Sequence, residues 1–119
     1  MERERGSLPN IVFESKQYDT GSSPEVTFTP PIGTVWDLQE PGMVVTFIAR
    51  LPGSASPKIE KLATVTGPWS VRFDPVAADV NALGTYDVEW ECLRANMKKI
   101  TLPTHGYLQW LIGPDLNNK

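Results

Sequence analysis

The sequence predicts an all-β sandwich of about seven or eight short strands. First, 11 prolines and 9 glycines among 119 residues divide the chain into short segments, with turn signals at intervals of roughly 8–12 residues. Second, several of these segments alternate apolar and polar residues, which is the period of a strand. Third, no segment favours a long helix, so strands are the expected regular elements.

The clearest strand prediction covers residues 85–92. Apolar and acidic side chains alternate strictly there, with Tyr86, Val88, Trp90 and Cys92 on one face and Asp87, Glu89 and Glu91 on the other. This pattern is typical of an antiparallel strand with one buried and one solvated face. Residues 43–51, rich in β-branched side chains, predict a central strand. Residues 69–73 predict a strand that is buried on one side.

The remaining segments carry weaker patterns. Strands are predicted within residues 11–13, 25–29, 32–38, 59–66, 100–102 and 107–112. The turn at Gly67 and Pro68 is expected to join two strands as a hairpin, and residues 74–84 to hold one short 3₁₀ or α-turn between the sheets. Residues 1–7 are expected to form a flexible N-terminal arm, and residues 8–119 a single domain.

Tyr86 stands at the entry to the clearest strand, two residues after Gly84. In immunoglobulin-like sandwiches, a tyrosine near the start of the penultimate strand bonds back to upstream backbone, an arrangement called the tyrosine corner. Glycine supplies the backbone freedom that such a corner needs. The alternative role of Tyr86 is a core aromatic with its hydroxyl at the rim. Both roles are structural, and the first favours an immunoglobulin-like antiparallel β-sandwich.

Composition excludes several classes of partner. The formal net charge is −3, and no basic patch extends beyond Lys98 and Lys99, so nucleic acid is not an expected partner. A single cysteine, Cys92, excludes an intrachain disulfide. The charged N-terminal residues lack the apolar region of a signal peptide, and no apolar stretch approaches the roughly 18 residues of a membrane span. We therefore expect a soluble protein, made in a reducing cytoplasm, with no membrane partner.

No group of residues predicts catalysis, a metal site or a cofactor. Cys92 lies on the buried face and is expected to be a structural hydrophobe. His105 is expected to be an exposed loop histidine without metal-ligating neighbours. The acidic stripe of Asp87, Glu89 and Glu91 is expected to be solvated, or to meet basic residues of a partner. Calcium, phosphate and dinucleotide motifs are absent from the sequence, so we do not expect an enzyme.

The four tryptophans raise the question of sugar binding, because exposed tryptophans stack on sugars. Trp69, Trp90 and Trp110 fall on apolar strand faces and are expected in the core. Trp36 stays open between two roles. It could line a sugar-binding groove, with Tyr18 or Tyr107, or stand at a protein interface, where tryptophan is over-represented.

The order of these features resembles a known family. The segments that carry the likeness are Trp36-Asp37-Leu38, Val44-Val45-Thr46-Phe47-Ile48-Ala49-Arg50, Trp69-Ser70-Val71-Arg72-Phe73, Ala82-Leu83-Gly84-Thr85-Tyr86-Asp87-Val88-Glu89-Trp90-Glu91 and Leu102-Pro103-Thr104-His105-Gly106-Tyr107. They are similar to the small immunoglobulin-like virion proteins of tailed bacteriophages, in particular the N-terminal domain of the phage upper baseplate protein. The likeness covers residues 8–113, although the family's Asp-Leu-Thr-Gly phrase is a longer turn here, from Asp37 to Gly42.

The resemblance implies a sandwich that anchors virion components to one another and has no catalytic residues. The expected function is a structural virion protein of the baseplate, tail-fibre attachment or neck, assembled in the host cytoplasm and able to form homo-oligomers within the particle. The alternatives are a capsid decoration or cement protein and a carbohydrate-binding module for host recognition. Apolar or proline-rich positions outside the alternating strands are the candidate interface. They are Leu8, Pro9, Pro30, Pro31, Ile32, Trp36, Leu51 and Pro52.

Overall fold

The computed structural model describes residues 11–114, which contain nine strands and one 3₁₀ helix. The strands are β1 (Ile11–Lys16), β2 (Glu25–Thr27), β3 (Val44–Arg50), β4 (Ile59–Leu62), β5 (Thr64–Gly67), β6 (Ser70–Arg72), β7 (Gly84–Leu93), β8 (Lys99–Leu102) and β9 (Leu108–Gly113). The 3₁₀ helix, Ala77–Val80, forms where a short turn was predicted. The predicted arm at residues 1–7 and the interface candidates Leu8 and Pro9 lie outside the described residues.

The strands form two sheets. The larger sheet has the order β1-β9-β7-β3-β4, with β8 paired to the far half of β7, and the smaller sheet has the order β2-β6-β5. The predicted all-β sandwich is confirmed, and the predicted hairpin across the turn after β5 forms between β5 and β6. Every pairing is antiparallel except that of β1 with β9, which is parallel.

Two sequence segments differ from their predictions. Residues 59–66 were expected to form one strand but form β4 in the larger sheet and β5 in the smaller, because the chain changes sheets at Ala63. Residues 32–38 were expected to carry a strand, and that prediction is wrong. The segment instead turns at residues 31–34, where the Thr34 amide bonds the Pro31 carbonyl, and joins the smaller sheet's turn through the Leu38 amide and the Pro68 carbonyl at 2.8 Å.

The core is aromatic and centres on Phe47 of β3. Its ring stacks on Phe73 with centroids 4.3 Å apart and meets the edges of Trp90 and Trp110 at 4.8 and 5.7 Å. Trp90 and Trp110 are fully buried, as predicted. Trp69 was also predicted in the core, and that prediction is wrong. The residue precedes β6 at the rim of the sandwich and is only half-buried against the core.

The tyrosine corner is present. The Tyr86 hydroxyl donates a hydrogen bond to the Ala82 carbonyl at 3.0 Å, and its ring is buried. Gly84 between them has a φ of +151°, and a Cβ there would approach Leu51 Cδ2 to 3.2 Å. Burial raises the pKa of the Tyr86 hydroxyl. A corner of this kind is also described in immunoglobulin-like sandwiches.

Candidate interaction surface

Three loops meet at one end of the sandwich, which we call the loop end. They are residues 28–43 between β2 and β3, residues 68–69 between β5 and β6, and residues 94–98 between β7 and β8. The bond from Leu38 to Pro68 joins the first two loops. Close approach of Gly42 to Ala95 joins the first and third, since a Cβ on Gly42 would stand 2.7 Å from the Ala95 Cβ. The loops therefore support one another.

Arg94 fixes the longest of these loops in place. Its Nε donates to Glu40 Oε2 at 2.8 Å and its Nη2 to Glu40 Oε1 at 3.1 Å, which makes the ion pair bidentate. The same guanidinium lies 4.4 Å from the centroid of the Trp36 ring, and that ring packs against Trp69 at 5.3 Å. Two forked hydrogen bonds and a cation–π contact restrict the position of the loop more than a single-point ion pair would.

This pairing also sets the charge state at the loop end. The hydrogen bonds from Arg94 lower the pKa of Glu40, with a further contribution from the Arg94 charge. The bond to Glu40 raises the pKa of Arg94 in turn. Both groups therefore stay ionised at neutral pH, and their charges cancel within the pair.

The tip of the loop presents bare apolar side chains. Thr34 bonds the Pro31 carbonyl through both its amide and its hydroxyl, closing a tight turn, and Gly33 adopts a φ of +87°, which a glycine takes without strain. Ile32 and Val35 project from this turn with exposed fractions of 106% and 96%. Met97, in the neighbouring loop, is 76% exposed. Side chains this apolar and this exposed are typical of contact sites for another molecule.

The predicted interface residues divide between two ends of the sandwich. At the loop end, Pro30 and Ile32 are exposed, whereas Pro31 is half-buried. Trp36 is half-buried beneath the tip, where it supports the loop. Leu51 and Pro52 are also exposed, but they follow the last residue of β3 and so lie at the opposite end. The structure therefore does not bring the two sets together.

Some residues of the loop end were missed from the sequence. Val35 is not one of these, because it lies within the segment of residues 30–36 that the sequence marks as a candidate interface. The pairing of Arg94 with Glu40 joins residues 54 positions apart, and no local pattern marks either partner.

Cys92 and His105, the cysteine and the histidine of this chain, differ in their exposure to solvent. Burial, with a smaller contribution from the Glu91 charge, raises the pKa of the Cys92 thiol to about 12, and the side chain is fully buried. His105 is exposed in the turn between β8 and β9. Within residues 11–114, no three His, Cys, Asp or Glu side chains converge as metal ligands. Nor does this part of the chain contain a helix with the length and hydrophobicity to span a bilayer.

Comparison with protein-family models, curated proteins and solved structures finds no match to this chain. The resemblance to phage virion proteins therefore stays a prediction from the sequence.

Proposed function

We propose that this protein is a structural virion component of a tailed bacteriophage that binds neighbouring proteins through the apolar tip of its loop end. The baseplate, the tail-fibre attachment and the neck are the candidate locations. In this proposal, the sandwich is a rigid carrier and contributes no catalysis.

The main support for the binding role is the exposure of Ile32 and Val35 on a loop that the Arg94–Glu40 ion pair holds in place. A loop ordered before binding loses less conformational entropy in the complex, so more of the contact energy remains as affinity. Burying an exposed isoleucine or valine contributes about 1.5–3 kcal/mol each. Arg94 and Glu40 neutralise each other, so the pair adds no net charge beside the tip, which favours an apolar pocket on the partner. The sequence resemblance supports placing that partner in a virion.

A carbohydrate-binding role has less support. Sugar stacking needs an open aromatic face, whereas Trp36 packs against Trp69 on one side and Arg94 on another. Tyr18 and Tyr107 are exposed, but they lie in separate loops, before β2 and after β8. A glycan array that detects binding would favour this role over ours.

Mass spectrometry of purified virions tests the placement. We expect the chain in the particle at the low copy number of a tail component. A copy number close to that of the major capsid protein would favour the cement-protein alternative, and absence of the chain would contradict both.

Incorporation of variants tests the surface. Ile32→Ser with Val35→Ser should leave the melting temperature unchanged and reduce incorporation about tenfold or more, since the two side chains contribute at least 1.4 kcal/mol on burial. Val76→Ser with Leu83→Ser is the matched control, because both side chains are exposed away from the loop end. Equal incorporation of the two double variants would contradict a role for the tip.

A further inference from the structure

The outer face of the larger sheet carries a second apolar patch, separate from the loop tip. On β3, Val45, Phe47 and Ala49 point into the core, so Val44, Thr46 and Ile48 face outward. Val44 pairs with Leu93 of β7, and Thr46 pairs with Leu62 of β4. We call Val44, Ile48, Leu62 and Leu93 the outer patch.

The outer patch has no cover among residues 11–114. Leu62 is 72% exposed and Val44 is 43% exposed, although both are paired in the sheet. Val44 and Leu93 are directly opposite each other, about 5 Å apart. Leu62 is opposite Thr46 and therefore diagonal to Val44 and Ile48, a separation of about 7–8 Å that long side chains span. The four side chains thus surround Thr46 on one face. Contiguous exposed apolar side chains beside an edge strand, such as β4, are typical of a surface that associates with another protein.

Two carboxylates flank the patch and indicate the chemistry of its partner. Ile48 pairs with Glu60 on one side and Glu89 on the other. Neither carboxylate forms an ion pair within the described chain. By contrast, Glu91, two residues after Glu89 on the same face of β7, has its Oε2 3.4 Å from Lys99 Nζ. The same face carries the cations Arg50 and Lys99, but its carboxylates, Glu60, Asp87, Glu89 and Glu91, outnumber them. A surface that covered Ile48 would strip water from Glu60 and Glu89, which is costly unless that surface supplies further cations.

We propose that the outer patch binds a second partner protein whose contact surface combines apolar side chains with lysine or arginine. A second copy of this chain fits less well, because it would bring the same carboxylates to the contact. This inference rests on the proposed role as a connector, since a protein that joins two components needs two surfaces.

The test is photo-crosslinking in assembled particles. A photoreactive phenylalanine analogue replaces Leu62 in one variant, Ile32 in a second and Thr66 in a third. Thr66 is the matched control, because it is exposed on an edge strand of the smaller sheet. We expect crosslinks from positions 62 and 32 to other virion proteins and none from position 66.

Charge reversal then tests the chemistry of the contact. Glu60→Lys with Glu89→Lys should lower the crosslinked fraction from position 62 about tenfold, because like charges now face one another, and should leave the crosslink from position 32 unchanged. Glu14→Lys with Glu25→Lys makes the same change in net charge away from the patch and should have no effect.

Each result has a distinct meaning. Crosslinks from position 32 but not from position 62 overturn the outer patch and leave the proposed function standing. A crosslink from position 62 to a second copy of this chain, or one that survives the reversal, overturns the basic partner. Absence of the chain from particles removes the proposed function and this inference with it.

Discussion

Replacing Tyr86 by phenylalanine isolates the energy of the tyrosine corner. The substitution keeps the buried ring and removes only the hydroxyl that donates to the Ala82 carbonyl at 3.0 Å. A net intramolecular hydrogen bond stabilises a protein by about 1 kcal/mol. Ala82 is exposed, so water can reach its carbonyl in the variant, and we add no penalty for an unsatisfied acceptor.

The expected loss converts to a measurable temperature. With about 2.1 cal/mol/K of unfolding entropy per residue and 119 residues, a loss of about 1 kcal/mol lowers the melting temperature by about 4 °C. Urea denaturation and calorimetry both measure this change. Tyr107→Phe is the matched control, because Tyr107 is exposed and its replacement should change the unfolding free energy by less than about 0.5 kcal/mol. Equal stability of the two variants would refute the reasoning.

Four further predictions concern buried side chains and the loop end. Asp79→Asn should destabilise the fold by about 2 kcal/mol in urea titrations, because its buried carboxylate accepts from Lys61 Nζ at 2.8 Å and from the Val76 amide at 2.9 Å; an unchanged midpoint would contradict this. The Cys92 thiol should resist a disulfide reagent at pH 8 until urea unfolds the protein, and rapid labelling of the native state would contradict its burial. The Cys92 thiol has a pKa of about 12 in the folded state and about 8.5 in the unfolded state, so the unfolded state loses the proton first as the pH rises. The free energy of unfolding should therefore fall above a pH of about 8.5. It should fall less in Cys92→Ala, which has no thiol. Arg94→Lys, which loses the forked geometry, should accelerate amide hydrogen exchange in the loop of residues 28–43 and leave exchange in β7 unchanged; equal rates in both proteins would show that the loop does not depend on the pair.

The sequence predicted those elements in which the pattern of buried and exposed side chains is visible within one short segment. Strand β7 was clear because its inward and outward positions alternate over ten residues. The corner at Tyr86 was predictable for a similar reason, since its glycine and tyrosine lie within three residues of each other. Strands β4 and β5 were not separable from the sequence, because the change of sheet at Ala63 depends on where two distant strands lie.

The same distinction applies to the candidate surface. The apolar composition of residues 30–36 marked the loop tip without any knowledge of the fold. The ion pair that holds this loop in place was not predictable, because Glu40 and Arg94 come together only once β3 and β7 have paired. The outer patch could not be predicted from the sequence either. Val44, Leu62 and Leu93 come from three strands and share a face only because of the register between those strands.

The parallel pairing of β1 with β9 has a mechanical consequence. Tension between Ile11, where β1 begins, and Gly113, where β9 ends, would pull these two strands along their own length in opposite directions. The hydrogen bonds between them would then bear the load together, in shear, whereas an antiparallel hairpin pulled at its open end releases its bonds one by one. A single-molecule pulling experiment across these two residues should therefore record a higher rupture force than one across the ends of the β5–β6 hairpin. A protein built this way resists being drawn apart through β1 and β9.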